Sequence, residues 1–143
     1  MPQVNYLAVL VCAIVSMVIG ALWYGPFFGK VWTAGMGWDP KNKEEMEKMK
    51  KSAAGSYAQM FVLALITAYV LANVEWAFHA AMPSFQGILL GLQTGFYTWL
   101  GYFLPVKYGD KLWGGKKFKY VSVDLGYYLV NLLIVGSILA IWK

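Results

Sequence analysis

Four long apolar stretches separated by polar connections form the main pattern along the chain, at residues 4–24, 57–76, 85–104 and 121–142. Each is close to the ~20 residues that a helix needs to cross ~30 Å of hydrocarbon at ~1.5 Å per residue. A bilayer core offers no water to the backbone, so such stretches must be helices or closed barrel strands, and these are too long and uniformly apolar for strands. We predict an all-α integral membrane protein, a four-transmembrane-helix bundle occupying residues 1–143 as a single domain.

The connections after the first and third stretches contain most of the lysines. They are Lys30, Lys41, Lys43, Lys48, Lys50 and Lys51 in the first, and Lys107, Lys111, Lys116, Lys117 and Lys119 in the second. Lysine collects in cytoplasmic loops because its charge hinders translocation. We therefore expect a multi-pass protein of the cytoplasmic (inner) membrane, with these lysine-rich loops in the cytoplasm and both termini outside. The lysines should contact the anionic headgroups of membrane lipids.

The first lysine-rich loop also predicts a cytoplasmic helical extension over about residues 40–56. Asp39 can cap the helix, Pro40 suits its first position, and Glu44 stands four residues before Lys48 on a solvated face. We expect this extension to run directly into the second membrane-spanning helix. A charged extension without a binding role is its simplest interpretation.

The two halves of the chain also resemble each other where the first and third stretches end. Glycine, lysine and tryptophan recur with the same spacing, as Gly20, Lys30 and Trp32 and as Gly101, Lys111 and Trp113. A true repeat would give two parallel-repeated helical hairpins. Chance similarity between two membrane exits is the alternative.

Small residues recur at every fourth position in three of the stretches. They are Ala8, Cys12, Ser16 and Gly20 in the first, Ala64, Ala68 and Ala72 in the second, and Gly87, Gly91 and Gly95 in the third. Helices in lipid associate through close backbone approach, which small residues permit. We predict that these faces serve helix packing, either within one bundle or between copies in a homo-oligomer or larger membrane complex.

Polar residues inside the stretches are few, and two groups stand out. Asp124, Tyr128 and Asn131 fall on one face of the fourth helix, where they form either an interhelical network or a polar path for a proton, ion or solute. Glu75 and His79 stand four apart on the outer turn and can pair on one helical face. With one histidine and one cysteine in the chain, we expect no metal site.

Composition narrows the classes of function. The chain is 59% apolar and 13% charged, which suits a lipid environment, and its net charge of +5 comes from lysines in loops rather than from a basic surface on a soluble fold. We therefore expect no nucleic-acid partner. Asp124 and His79 are predicted at opposite membrane faces, and no nucleophile stands in a recognisable setting. We expect no catalytic residues, no cofactor and no enzymatic activity.

Several segments together resemble a known family. They are MPQVNYLAVLV and GALWYGPFFGKVW near the start, and TWLGYFLPV and DLGYYLVNLLIVGSILAIW in the second half. These segments are similar to small, mainly bacterial membrane proteins grouped as domain of unknown function 1761. The resemblance implies a four-span fold in a cytoplasmic membrane and brings no activity or catalytic residues with it.

Two functions follow from the sequence as competing hypotheses. The favoured one is an accessory or packing subunit of a larger membrane assembly, because the polar interior is sparse. The alternative is an oligomeric small-solute or ion transporter or channel. Small multidrug transporters place a buried glutamate in their first span, and the first stretch here has no acid.

Overall fold

The computed structural model describes residues 4–142 as helices joined by short connections. In chain order these are α1 (Tyr6–Leu22), a first π-helical turn (Trp23–Phe27), α2 (Gly29–Gly35), α3 (Lys43–Ala81), α4 (Gly87–Thr98), a second π-helical turn (Trp99–Phe103), α5 (Leu104–Leu112) and α6 (Phe118–Ile141). Within the described residues every regular element is helical, which confirms the all-α fold class. Residues 1–3 and 143 lie outside this range, and with them the predicted positions of both termini.

Three helical segments are long and apolar enough to cross a membrane, namely Tyr6–Phe27, Lys43–Ala81 and Phe118–Ile141. They correspond to the first, second and fourth apolar stretches. The third stretch is divided, because the second π-helical turn follows the 12 residues of α4 and separates them from α5. Helix length and composition thus give three candidate spans, where four were predicted.

α3 is a single helix of 39 residues that joins the predicted extension to the second apolar stretch. It begins at Lys43 rather than at Pro40, because the side chain of Asn42 caps it by accepting a hydrogen bond from the backbone N–H of Glu45 at 3.3 Å. Asp39 instead accepts from the N–H of Lys41 at 2.9 Å, within the preceding turn. The N-cap therefore lies three positions later than predicted, at the next residue able to accept from the helix N-terminus.

Each half of the chain contains one π-helical turn, with the sequences WYGPF and WLGYF. Each turn follows an apolar helix and precedes a short helix and then a longer one. The order of the elements thus repeats, in a register that pairs Trp23 with Trp99. The register predicted from spacing paired Gly20 with Gly101, whereas Gly25 is the residue at the corresponding position of the first turn.

α6 is the central helix of the bundle and packs against α1, α3 and α4. Its approach to α4 is closest at two glycines of the third stretch. A Cβ on Gly95 would lie 2.5 Å from the carbonyl oxygen of Leu132, and one on Gly91 would overlap the carbonyl group of Gly136. The two backbones therefore touch directly, and α4 runs antiparallel to α6.

α1 and α3 meet on another side of α6 through small and aliphatic side chains. The buried residues of this core are Ala8, Val9, Cys12, Ala68, Leu71, Leu132, Val135 and Leu139. The Sγ of Cys12 lies 3.7 Å from the carbonyl oxygen of Val135 on α6. Small residues of α1 and α3 thus face the interior, where they allow α1, α3 and α6 to pack closely against one another.

Candidate functional site

The most polar cluster of the bundle lies at the end formed by the two π-helical turns, α2, α5 and the first turns of α6, called here the lysine-rich end. At its centre is Asp124, near the start of α6. The hydroxyl of Tyr24 donates to Oδ1 of Asp124 at 2.9 Å, and Nζ of Lys107 lies 3.3 Å from Oδ2. One carboxylate therefore joins the first π-helical turn, α5 and α6.

Lys107 belongs to a wider set of charged and aromatic groups on α5. It lies 3.9 Å from a carboxylate oxygen of Asp110 and 5.6 Å from the ring centre of Tyr128. Asp110 also lies 3.8 Å from Nζ of Lys116, beyond the end of α5. Lys107, Asp110 and Lys116 thus continue the ion pairing from Asp124 to the residues that follow α5.

Two indole groups fix the π-helical turns to α6. Nε1 of Trp23 donates to the carbonyl oxygen of Val123, and Nε1 of Trp99 donates to that of Leu125, both at 2.9 Å. Gly126 directly follows the second acceptor on α6, and a Cβ there would lie 2.8 Å from the ring of Trp23. The two halves of the chain thus use equivalent tryptophans to position α6.

A row of aromatic rings borders Asp124. Neighbouring ring centres lie 5.2 Å apart for Trp38 with Trp32, 5.3 Å for Trp32 with Tyr24, and 5.2 Å for Tyr24 with Tyr127. The row continues to Tyr128, whose ring centre lies 5.2 Å from that of Tyr127 and 4.5 Å from that of Phe103. Such tilted pairs are favourable contacts between aromatic edges and faces.

These rings form one wall of an open cleft of about 600 Å³ between α1, α2, α3 and α6, called here the aromatic cleft. Its aromatic lining residues are Tyr24, Trp32, Trp38, Tyr57, Tyr127 and Tyr128, and its methionines are Met17, Met49 and Met60. Asp124 and several small or hydroxyl-bearing residues complete the lining, among them Ser16, Gly20, Thr33, Ala53 and Ser56. The cleft combines an apolar wall with one carboxylate.

The predicted stripe on α6 is divided between the cleft and the core. Asp124 and Tyr128 line the aromatic cleft, whereas Asn131 is buried further along α6. Among the described residues no group donates to Oδ1 of Asn131. Tyr127 was not predicted as a site residue from the sequence. It lines the cleft, and its hydroxyl lies 3.4 Å from the carbonyl oxygen of Ser16.

Glu75 and His79 lie on the last turns of α3, at the opposite end of the bundle from Asp124. Glu75 is buried, and its Oε1 is 3.3 Å from the position of a Cβ on Gly136. Nδ1 of His79 lies 2.9 Å from the carbonyl oxygen of Phe85 in the following loop. Their mutual pairing stays a prediction, and the burial of Glu75 beside the contact between α4 and α6 is a feature that the sequence did not indicate.

The predicted small-residue faces occupy different environments. Ala8, Cys12, Ser16 and Ala68 are buried, Ala64 and Ala72 are half-buried, and a Cβ on Gly20 would be in ordinary contact with Tyr127 at 3.5 Å. Gly91 and Gly95 touch α6, as described above. Gly87 has a φ of 54° at the start of α4 and open space around its Cβ position, so backbone conformation rather than packing explains this glycine.

Three of the described helices are long and apolar enough to span a membrane, as is typical of polytopic membrane proteins, and an aromatic cleft lies at one end of the fold. Within residues 4–142 no cluster of three or more histidine, cysteine, aspartate or glutamate side chains could hold a metal ion. The chain belongs to the family described as "Protein of unknown function (DUF1761)", whose model matches residues 7–140. No curated protein and no solved structure matches it.

Proposed function

We propose that this protein crosses a membrane four times and binds a small solute in the aromatic cleft, as a carrier rather than as an enzyme. The observation that carries the proposal is the cleft itself. Its volume of about 600 Å³ lies within the ~300–1,000 Å³ of typical small-molecule sites. Such sites combine mostly apolar walls with a few polar groups that fix orientation, here Asp124 and the tyrosine hydroxyls.

The fourth crossing is supported by the packing of the third stretch. Helical backbone continues from Gly87 through the second π-helical turn into α5. This segment follows α6 from the contact of Gly91 with Gly136 to the hydrogen bond between Trp99 and Leu125. Its outward side chains are apolar, including Leu89, Leu92, Phe96 and Leu100. A segment with these properties fits beside α6 in hydrocarbon.

A carrier role is further supported by Asn131, which lies beyond the cleft on the same face of α6 as Asp124 and Tyr128. An unsatisfied polar group in an apolar interior typically costs about 1–3 kcal/mol. Retention of such a group next to the cleft favours a contact with water or solute entering the bundle. The stripe on α6 would then be the start of a polar path.

The orientation that suits this role places the lysine-rich end in the cytoplasm of a cell bounded by an inner membrane. Lysine is unfavourable to translocate, and its ammonium groups attract anionic headgroups. The aromatic cleft would then open toward the cytoplasmic side, with both termini outside. Membrane lipids, rather than nucleic acid, would be the partners of the lysines.

An accessory or packing subunit of a membrane assembly is the second candidate function. Gly91, Gly95, Cys12 and Ala68 lie against helices of the same chain, so they offer little surface to another protein. What favours this role is the apolar outer face of α3, although lipid can cover that face equally well. Purification in mild detergent with mass measurement separates the two roles: a larger partner in fixed ratio supports the subunit, and a monomer or homo-oligomer supports the carrier.

Filling the cleft tests the carrier proposal directly. Ala53 lines the cleft, whereas its neighbour Ala54 is exposed outside it. In a thermal-shift screen of small solutes against the detergent-solubilised protein, stabilising compounds should lose their effect on Ala53→Trp and keep it on Ala54→Trp. A screen in which both variants respond alike would remove the cleft as the binding site.

A further inference from the structure

The aromatic cleft has an unusual charge pattern. Among the described residues that line it, Asp124 alone carries a formal charge. The lysines of the same end point elsewhere: Lys107 contacts Asp124 without lining the cleft, and Lys111 lies 3.1 Å from the hydroxyl of Tyr108 on α5. A solute in the cleft therefore meets a carboxylate before it meets an ammonium group.

Asp124 keeps capacity for a further partner. A carboxylate offers about four acceptor sites, and the two groups bound here each use one oxygen, Tyr24 at Oδ1 and Lys107 at Oδ2. The side chain retains 19% of its exposure. The acid is thus held in position while part of it stays open to the cleft.

The remaining walls also favour positive charge. Aromatic rings have electron-rich faces that attract ammonium groups, most strongly for tryptophan. Six aromatic residues line the cleft, including Trp32 and Trp38, whose rings meet at 90° with centres 5.2 Å apart. Two rings at right angles form a corner that can enclose a rounded group. Three methionines add flexible, polarisable apolar surface that adapts to varied ligand bodies.

We infer that the aromatic cleft binds a hydrophobic organic cation, namely a quaternary or protonated amine with an aromatic or short alkyl body. The inference rests on the proposed function and specifies its solute class. The ammonium group lies between Asp124 and the rings of Tyr24 and Trp32, and the apolar body contacts the methionines. Neutral and anionic molecules of the same shape lack both attractions.

Three probes with one scaffold test the charge requirement: 3-phenylpropyltrimethylammonium, 3-phenylpropanol and 3-phenylpropanesulfonate. Binding to the full-length protein in nanodiscs of zwitterionic lipid is measured by titration calorimetry, with empty nanodiscs as the blank. The cation should bind about tenfold or more tightly than the alcohol, and the sulfonate should bind weakest. Equal binding of cation and alcohol would overturn the cation inference while leaving solute binding intact. Binding of none of the three would count against the proposed function as well.

Variants assign the effect to the cleft. Asp124→Asn keeps an acceptor for Tyr24 and should weaken cation binding about tenfold, while leaving alcohol binding nearly unchanged. Glu47→Gln removes a charge from an exposed position on α3 outside the cleft and should have little effect.

Trp32→Leu should weaken cation binding about threefold or more, and Trp113→Leu, at a residue that is 91% exposed, serves as its control. Loss of affinity in both tryptophan variants, or in neither, would place the cation elsewhere.

Discussion

At the scale of single residues, two glycines decide how closely α4 approaches α6. The absence of a side chain at Gly91 and Gly95 lets peptide groups of the two helices touch. In lipid such contact replaces the hydrophobic driving force that is missing between apolar helices. The carbonyl groups opposite these glycines belong to a helical backbone and have little room to move.

Gly95→Ala should therefore destabilise the bundle by about 1–3 kcal/mol, the usual range for overpacking. The measurement is the midpoint of unfolding in mixed micelles of mild detergent and SDS. Gly101→Ala is the matched control, since nothing lies within 4 Å of a Cβ at that position. Similar midpoints for the two variants would contradict the close contact.

Asp124 could be recognised from the sequence, because a charge within an apolar stretch is expensive and stands out. Its partner Tyr24 could not, because this tyrosine reaches Asp124 through tertiary packing that no local pattern encodes. The register of small residues indicated Gly91 and Gly95. It could not separate them from Gly87, whose positive φ reflects the start of a helix.

At the scale of elements, each half of the chain contains one π-helical turn between an apolar helix and a shorter helix. Each widens the helix by one residue per turn and places a tryptophan indole against the backbone of α6. Pro26 lies inside the first turn and has no N–H, which is consistent with local loss of the regular α-helical bonding there. π-helical insertions occur often at functional sites, and here the first turn borders the aromatic cleft through Tyr24 and Gly25.

Trp99→Phe should remove one interhelical hydrogen bond and lower stability by about 0.6–2 kcal/mol. Indole Nε1 is a donor only, so phenylalanine preserves much of the apolar contact without the bond. Trp113→Phe is the control at an exposed position. Equal unfolding midpoints for Trp99→Phe and Trp113→Phe would show that the bond to Leu125 contributes nothing.

The start of α3 gives a second prediction at this scale. Asn42→Ala should destabilise the first turn by about 1 kcal/mol, because the side chain of Asn42 satisfies the N–H of Glu45. Amide hydrogen exchange of residues 43–47 should accelerate accordingly. Asp39→Ala should leave those amides unchanged, since Asp39 bonds within the turn before the helix. Faster exchange in the Asp39 variant alone would restore the cap expected from the sequence.

Sequence patterns found the existence of the helices more reliably than their ends. Asp39 and Asn42 are both good caps, and only the path of the chain selects between them. The third apolar stretch has the composition of a membrane span, but its pattern of apolar residues did not predict the π-helical turn that divides it. The spacing pattern paired Gly20 with Gly101, whereas the two π-helical turns align Trp23 with Trp99, so the internal repeat stays a prediction.

At the scale of the whole molecule, α6 serves both halves of the chain. α1 and α3 of the first half pack on it, and α4 of the second half packs along a face that includes Leu132 and Gly136. The aromatic cleft lies on the side of the first half, lined by α1, α2, α3 and α6. The candidate site therefore combines elements of the first half with Asp124, Tyr127 and Tyr128 from α6 of the second half.

Four crossings predict that both lysine-rich loops share one side of the membrane. Cys12 is the sole cysteine, so Cys12→Ala provides a background for single-cysteine variants at Lys41, Ser84 and Lys117. A membrane-impermeant thiol reagent should label positions 41 and 117 from one side of oriented vesicles and position 84 from the other. Labelling of 84 and 117 from the same side would mean that the third stretch does not cross.

α3 has a mechanical consequence that extends beyond packing. Its 39 residues, at ~1.5 Å each, make a rod about 58 Å long, nearly twice the thickness of a hydrocarbon layer of ~30 Å. Neither a proline nor a π-helical turn interrupts it between Lys43 and Ala81. A displacement of the charged N-terminal end of α3 is therefore transmitted along one continuous helix to the buried residues Ala68 and Leu71.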